Sequence, residues 1–196
     1  MGPISLYPIT LYLCYKPVIG LVMFVLFLCG APSPFSDEPV DLTIRGITVR
    51  KSIMIPVEMN YSLALTLEFP SDEARLNDQI VGGNYTRSCM GLVSHFDIPG
   101  IERIRYEDIP DIERRVLGLP IPFKVVVRKE TDNSVIVDQT FESLCTTGWS
   151  EKRKYRDIAW LQLPSGYYIV EVTNLHGQPD LAGVKTTLAL RGIQRK

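Results

Sequence analysis

Hydrophobic and polar side chains alternate with a period of two along much of the chain beyond residue 41. The clearest stretch is 60–69, where Tyr61, Leu63, Leu65, Leu67 and Phe69 form one row and Asn60, Ser62, Ala64, Thr66 and Glu68 the other. Such alternation predicts a strand with one face on a core and the other toward solvent. Residues 42–49 alternate as well, with Gly46 resetting the phase as a bulge would. Phe123, Val125 and Val127 oppose Lys124 and Arg128, and 135–141 follows across a turn at Thr131-Asp132-Asn133. Strands at 158–163, 167–175 and 184–190 complete the set, with turn chemistry at Pro164-Ser165-Gly166 and Gly177-Gln178-Pro179-Asp180. Short strands, turn residues and few helices predict a mainly β fold, an antiparallel immunoglobulin-like β-sandwich. Gly166 followed by Tyr167 and Tyr168 at the head of an apolar strand resembles a tyrosine corner, with Tyr168 as the corner residue.

Two segments break the alternation. Residues 71–80 open with Ser-Asp-Glu and carry Ala74, Leu76 and Ile80, which predicts a short helix capped by Ser71 or Asp72. Residues 99–122 mix Ile101, Ile104, Ile109, Ile112, Val116 and Leu117 with Glu102, Arg103, Arg105, Glu107, Asp108, Asp111, Glu113, Arg114 and Arg115. Pro110 prevents one continuous helix there. A long charged inter-strand insertion in a small sandwich is of the kind that carries function.

The first 36 residues follow another logic. Lys16 precedes an apolar run over 18–28, and then come Cys29-Gly30-Ala31-Pro32-Ser33-Pro34. Positive charge, apolar run and small residues in that order predict an export signal, with an uncleaved anchor as the rival reading. The run is shorter than the roughly 20 residues of a bilayer span. Cys29 stands where a lipoprotein carries its acylated cysteine, although Phe27 and Leu28 before it are bulky; a cut near Ala31 is the competing outcome. Residues 31–39 read as a tether, so the division expected is 1–36 for signal or anchor and 37–196 for one domain.

Charge and composition narrow the function. The net charge of −1 over 196 residues provides no electrostatic pull toward nucleic acid. His95 and His176 have no Cys, Asp or Glu at metal-ligand spacing, and no serine elbow, phosphate loop or dinucleotide fingerprint is present. No metal, cofactor or catalytic residue is therefore expected. Carboxylates at Glu107-Asp108 and Asp111-Glu113 could serve acid–base chemistry, but interleaved arginines make a self-neutralising charge run the better reading. The basic run 151–156 is expected to be a solvated loop, or else a contact for an acidic partner or anionic lipid. Trp149 beside it has the composition of an interface anchor. Cys89 and Cys145 form a disulfide or remain two buried thiols; in an oxidising compartment the bond would contribute about 4 kcal/mol.

Several blocks together resemble a known family. They are Ile55-Pro56-Val57 leading into Asn60-Tyr61-Ser62-Leu63, then 72–83, then Leu119-Pro120-Ile121-Pro122-Phe123, and above all Tyr155-Arg156-Asp157-Ile158 through Tyr168 with the tail 174–184. In these the chain resembles small proteobacterial periplasmic proteins, many of them lipoproteins, catalogued as a domain of unknown function. The resemblance implies export and a β-sandwich, and no established activity. Small exported β-proteins of this kind resemble immunity proteins, including those paired with type VI secretion effectors.

The function expected is accordingly a periplasmic immunity-type protein that binds and inhibits a secreted effector enzyme. Its contact residues would be Arg103, Arg105, Glu107, Asp108, Asp111, Glu113, Arg114, Trp149, Lys152 and Arg153. An envelope accessory lipoprotein that binds another envelope component is the alternative, and a hydrolase using the carboxylates of 99–122 is a third.

Overall fold

The computed structural model describes residues 33–82 and 106–193. They form two antiparallel sheets. The five-stranded sheet has the order β1-β9-β3-β7-β6, with β1 Phe35–Pro39, β3 Met59–Glu68, β6 Thr146–Ser150, β7 Arg153–Leu163 and β9 Lys185–Gly192. The four-stranded sheet has the order β2-β8-β4-β5, with β2 Thr48–Ile55, β4 Ile121–Lys129, β5 Val135–Ser143 and β8 Gly166–Asn174. The fold is a β-sandwich.

The core lies between the sheets and follows from the period of two. Tyr61, Leu63, Leu65 and Leu67 of β3 are fully buried, and Phe123, Val125 and Val127 of β4 face them with Val170 and Val172 of β8. Each such side chain contributes about 1.5–3 kcal/mol through burial. Tyr168 donates from its hydroxyl to the Pro164 carbonyl at 3.0 Å, so the expected corner is present. A second one stands opposite in the other sheet, where the Tyr61 hydroxyl donates to the Val57 carbonyl at 2.8 Å. In both, a buried ring at the head of a strand ties down the turn four residues back.

Helix α1, Asp72–Asn77, begins as expected: the Ser71 hydroxyl accepts from the Ala74 amide. Helix α2, Asp111–Leu117, starts right after Pro110 and stops at Gly118, whose φ of 77° takes the chain out of the helix. A 3₁₀ turn, Tyr106–Asp108, precedes it.

Three expectations need correction. Residues 35–39, read as tether, form β1, which pairs with β9 despite Asp37 at φ 55° and an irregular register. The strand expected at 42–49 lies at Thr48–Ile55 instead. Gly46, at φ 85°, belongs to the loop before it, and Asn174 holds that loop by donating to the carbonyls of Leu42 and Ile44. Residues 151–156, read as a solvated loop, hold only a two-residue turn before β7 begins at Arg153, and Trp149 beside them lies in β6.

Register places the connections unevenly. Glu68 lies opposite Arg153 and Lys185, Phe123 opposite Asn174, Thr48 opposite Thr173, and Ile121 opposite Ser143. One end therefore collects the connections 40–47, 69–120, 144–145, 151–152 and 175–184, while the other has only 56–58, 130–134 and 164–165.

Candidate functional site

The loop-bearing end is built around two cations on β7. Strand alternation puts Lys154, Arg156 and Ile158 in one row, and that row faces the interior. Arg156 is fully buried. One terminal nitrogen of its guanidinium donates to the carbonyls of Leu119 (2.9 Å) and Ser143 (3.1 Å). The other donates to Val81 (2.5 Å), Ile80 (3.2 Å) and Leu117 (3.3 Å). Burial lowers its pKa to about 10, against the opposing pull of Asp78 and Tyr106, so the group remains a cation at neutral pH.

Lys154 works beside it. Its ammonium lies 2.8 Å from Asp78 Oδ2 and 2.7 Å from the Gly82 carbonyl, and 5.5 Å above the Phe69 ring. The Asp78 carboxylate also accepts from the amides of Ile80 and Val81. Thr146 donates its hydroxyl to the carbonyls of Val81 and Gly82. Two cations, a carboxylate and a hydroxyl thus converge on 80–82, the last described residues before 83–105.

The other end of that connection is fastened to the same place. Leu119 donates its amide to the Ile80 carbonyl at 2.7 Å, and the Tyr106 hydroxyl donates to the Gly118 carbonyl at 3.0 Å. Gly118 lies so close to 80–82 that a Cβ there would sit 2.4 Å from the Ile80 carbonyl oxygen. Below it Ile109, Leu117, Leu144 and Cys145 form a small apolar cluster with Tyr106 against it. Cys145 is disulfide-bonded; the chain's other cysteines, Cys14, Cys29 and Cys89, lie outside the described residues.

The expected contact residues divide accordingly. Arg103, Arg105, Cys29 and Cys89 lie outside the described residues, and of Glu113 only the backbone on α2 is described. Glu107 and Asp108 are exposed on the 3₁₀ turn, and Asp111 on the first turn of α2. Arg114 is engaged within the fold, ion-paired to Asp111 with its guanidinium 5.9 Å from the Tyr106 ring centre. Arg153 pairs with Glu68 at 2.7 Å, and Lys152 is exposed. Trp149, at the β6 edge, is 59% exposed. Ile112, which the sequence reading did not place among contact residues, is the most exposed large apolar side chain described, at 78%.

The basic run 151–156 is therefore solvated only in its first part: 151–153 are exposed, and β7 begins at Arg153. Lys154 and Arg156 are interior residues, and the density of charge around them hid the alternation they share with Ile158. Neither cation can reach a molecule outside, so their chemistry is positioning: they fix both ends of the long connection on one rigid base.

One comparison bears on the family and one on the fold. A family model described as Domain of unknown function (DUF5625) matches residues 37–192. A crystal structure of a protein from Sulfurospirillum deleyianum superposes with a TM-score of 0.55 at 21% identity, covering 85% of this chain and 99% of that one. That likeness concerns architecture. No curated protein matches the sequence.

Proposed function

The chain belongs to the DUF5625 family, and on that premise we propose that it is a non-catalytic binding protein of the bacterial envelope, acting through the loop-bearing end of its sandwich. The partner we propose is a secreted effector enzyme, occluded in the manner of an immunity protein. One observation carries the reading: Arg156 and Lys154, costly cations to bury, are used to hold 80–82 and 117–119 against each other. A pre-fixed loop base lowers the ordering cost of association, which is the main way a small surface gains affinity. Around it Ile112 and Trp149 provide exposed apolar anchors, and Glu107, Asp108 and Asp111 a nearby set of acids. Such a rigid scaffold with charged loops suits insertion into an enzyme's cleft.

The test is capture of bound proteins from the native bacterium by the tagged full chain, identified by mass spectrometry. The expected result is one stoichiometric secreted enzyme, whose affinity for the chain falls about tenfold or more in Ile112→Asp and in Trp149→Ala. Both side chains are exposed, so the thermal midpoint should stay within about 2 °C of the parent. Recovery of envelope components alone would refute the immunity reading, and capture indifferent to both substitutions would refute the proposed surface.

A further inference from the structure

A cavity of about 450 Å³ lies between helix α1 and the connection from β8 to β9. Its floor belongs to the fringe of the main core. Phe69 and Leu181 are buried there, and Ala74, Ile80 and Val184 pack half-buried against the same cluster. The local sequence explains the space. Helix α1 contributes only the methyl of Ala74, and the single 3₁₀ turn Pro179–Leu181 sends Leu181 into the core and is followed by another small residue, Ala182.

The polar groups around this floor are unevenly committed. Two carboxylates line the cavity, those of Asp78 and Asp180. Asp78 is fully used: one oxygen accepts from the Ile80 amide, the other from the Val81 amide and the Lys154 ammonium. Asn77, Gln79 and Asp180 are exposed, and among the described residues their side chains take part in no hydrogen bond or ion pair. Because Lys154 neutralises Asp78, Asp180 leaves the lining with one uncompensated negative charge.

We infer that this cavity binds a small amine, an ammonium group held at the rim on an apolar body that rests on Phe69, Leu181 and Val184. Its volume is that of a small-molecule site, and an apolar floor with a few polar groups at its edge is the usual composition of one. Asp180 selects the charge of the occupant. A carboxylate only accepts hydrogen bonds and repels an anion. An ammonium has three donors, and the rim offers one carboxylate and two side-chain amide oxygens to receive them. A neutral apolar molecule of the same shape would gain the floor and nothing from the charge. The cavity lies at the loop-bearing end but is lined by neither Ile112 nor Trp149, so it stands apart from the partner proposed above.

The test is a titration of the isotope-labelled full chain in mild detergent with tryptamine, followed by the backbone amide resonances. Tryptophol, which has the same ring and chain with a hydroxyl in place of the ammonium, is the control. Tryptamine should move the amides of 74–80 and 180–184 in a saturable way, and tryptophol should bind at least about tenfold more weakly. Asp180→Asn, at an exposed position, should weaken tryptamine by about tenfold with an unchanged thermal midpoint, and should leave tryptophol as it was. Ala74→Leu, which keeps a good helix former on α1 and fills the cavity, should abolish the response to both. The absence of a saturable shift at these amides in the parent chain would overturn the inference. So would equal binding of tryptamine and tryptophol, or tryptamine binding indifferent to Asp180→Asn.

Discussion

Arg156 shows how much of this structure rests on single side chains. Five buried or part-buried carbonyls from three separate segments, 80–81, 117–119 and 143, share one guanidinium. Removing it takes a donor from each of them, although Ile80 keeps the Leu119 amide and Val81 the Thr146 hydroxyl, and each buried polar group left unpaired costs about 1–3 kcal/mol. Arg156→Met should therefore lower unfolding stability in urea by about 3–5 kcal/mol, and Arg156→Lys should recover little, because one ammonium cannot span the fork's acceptors. Lys154→Met should cost a similar amount by leaving the Asp78 carboxylate buried without its cation. Lys152→Ala, two positions away and exposed, should stay within about 0.5 kcal/mol of the parent. Tyr168 makes a separate, pH-linked prediction. Burial raises the pKa of its phenol, with the charge of Glu58 adding to the shift, above the usual tyrosine value. The unfolded chain then loses this proton at a lower pH than the folded one, so the contribution to stability is complete below about pH 10 and is lost as pH rises through the folded value. Tyr168→Phe should cost about 1 kcal/mol at neutral pH by removing the bond to Pro164, and should flatten the fall in stability above pH 10. Thermal melts at a series of alkaline pH values read both effects.

Among the elements, glycines mark where backbone geometry rather than side-chain chemistry decides. Gly118 has φ 77° and its missing Cβ would overlap Ile80 and Gly82, whereas Gly183 has φ 85° and open space around it. An alanine at 183 should cost only the conformational penalty, about 1 kcal/mol. An alanine at 118 must in addition push apart the two ends of the long connection, and should cost about 3 kcal/mol or more by urea unfolding. These elements also show what could be read from sequence. Alternation found β3, β4 and β8 because their buried rows are largely apolar, and β5 and β9 because Val137 and Phe141 in one and Leu188 and Leu190 in the other stand at alternate positions, while Ser71 announced α1. It missed β6 because Thr146-Thr147-Gly148-Trp149-Ser150 has no period-two apolar row. It truncated β7 because the inward positions 154 and 156 carry cations, and side-chain charge ordinarily signals solvent. For the candidate site only an expected place was legible, the 99–122 insertion and Trp149. Its mechanism of support was not, since carbonyls that bind Arg156 have no signature in residue type.

For the whole molecule, the controlling feature is the contrast between one end held by two tyrosine corners and tight turns, and another that must hold a long connection by tertiary bonds. Cys145 lies in that second end, buried beside Leu144 and Thr146, and is disulfide-bonded. A bond there ties the crossing from β5 to β6 to a residue outside the described ones. The sequence-based expectation is Cys89, within the connection itself. If so, the covalent link and the Arg156 fork restrain the same segment by different means, one mainly by restricting the unfolded chain and the other by bonds in the folded one. Cys145→Ala should lower unfolding stability by about 2–5 kcal/mol under oxidising conditions and by much less in excess reductant. Cys89→Ala should give the same loss, and the double variant no further loss, because either change removes one and the same bond. Cys29→Ala should leave the melting curve unaltered. Urea unfolding of the four variants, with and without reductant, tests the pairing: a Cys89→Ala chain as stable as the parent would assign the bond to another cysteine and leave Arg156 and Lys154 as the principal restraint on the connection.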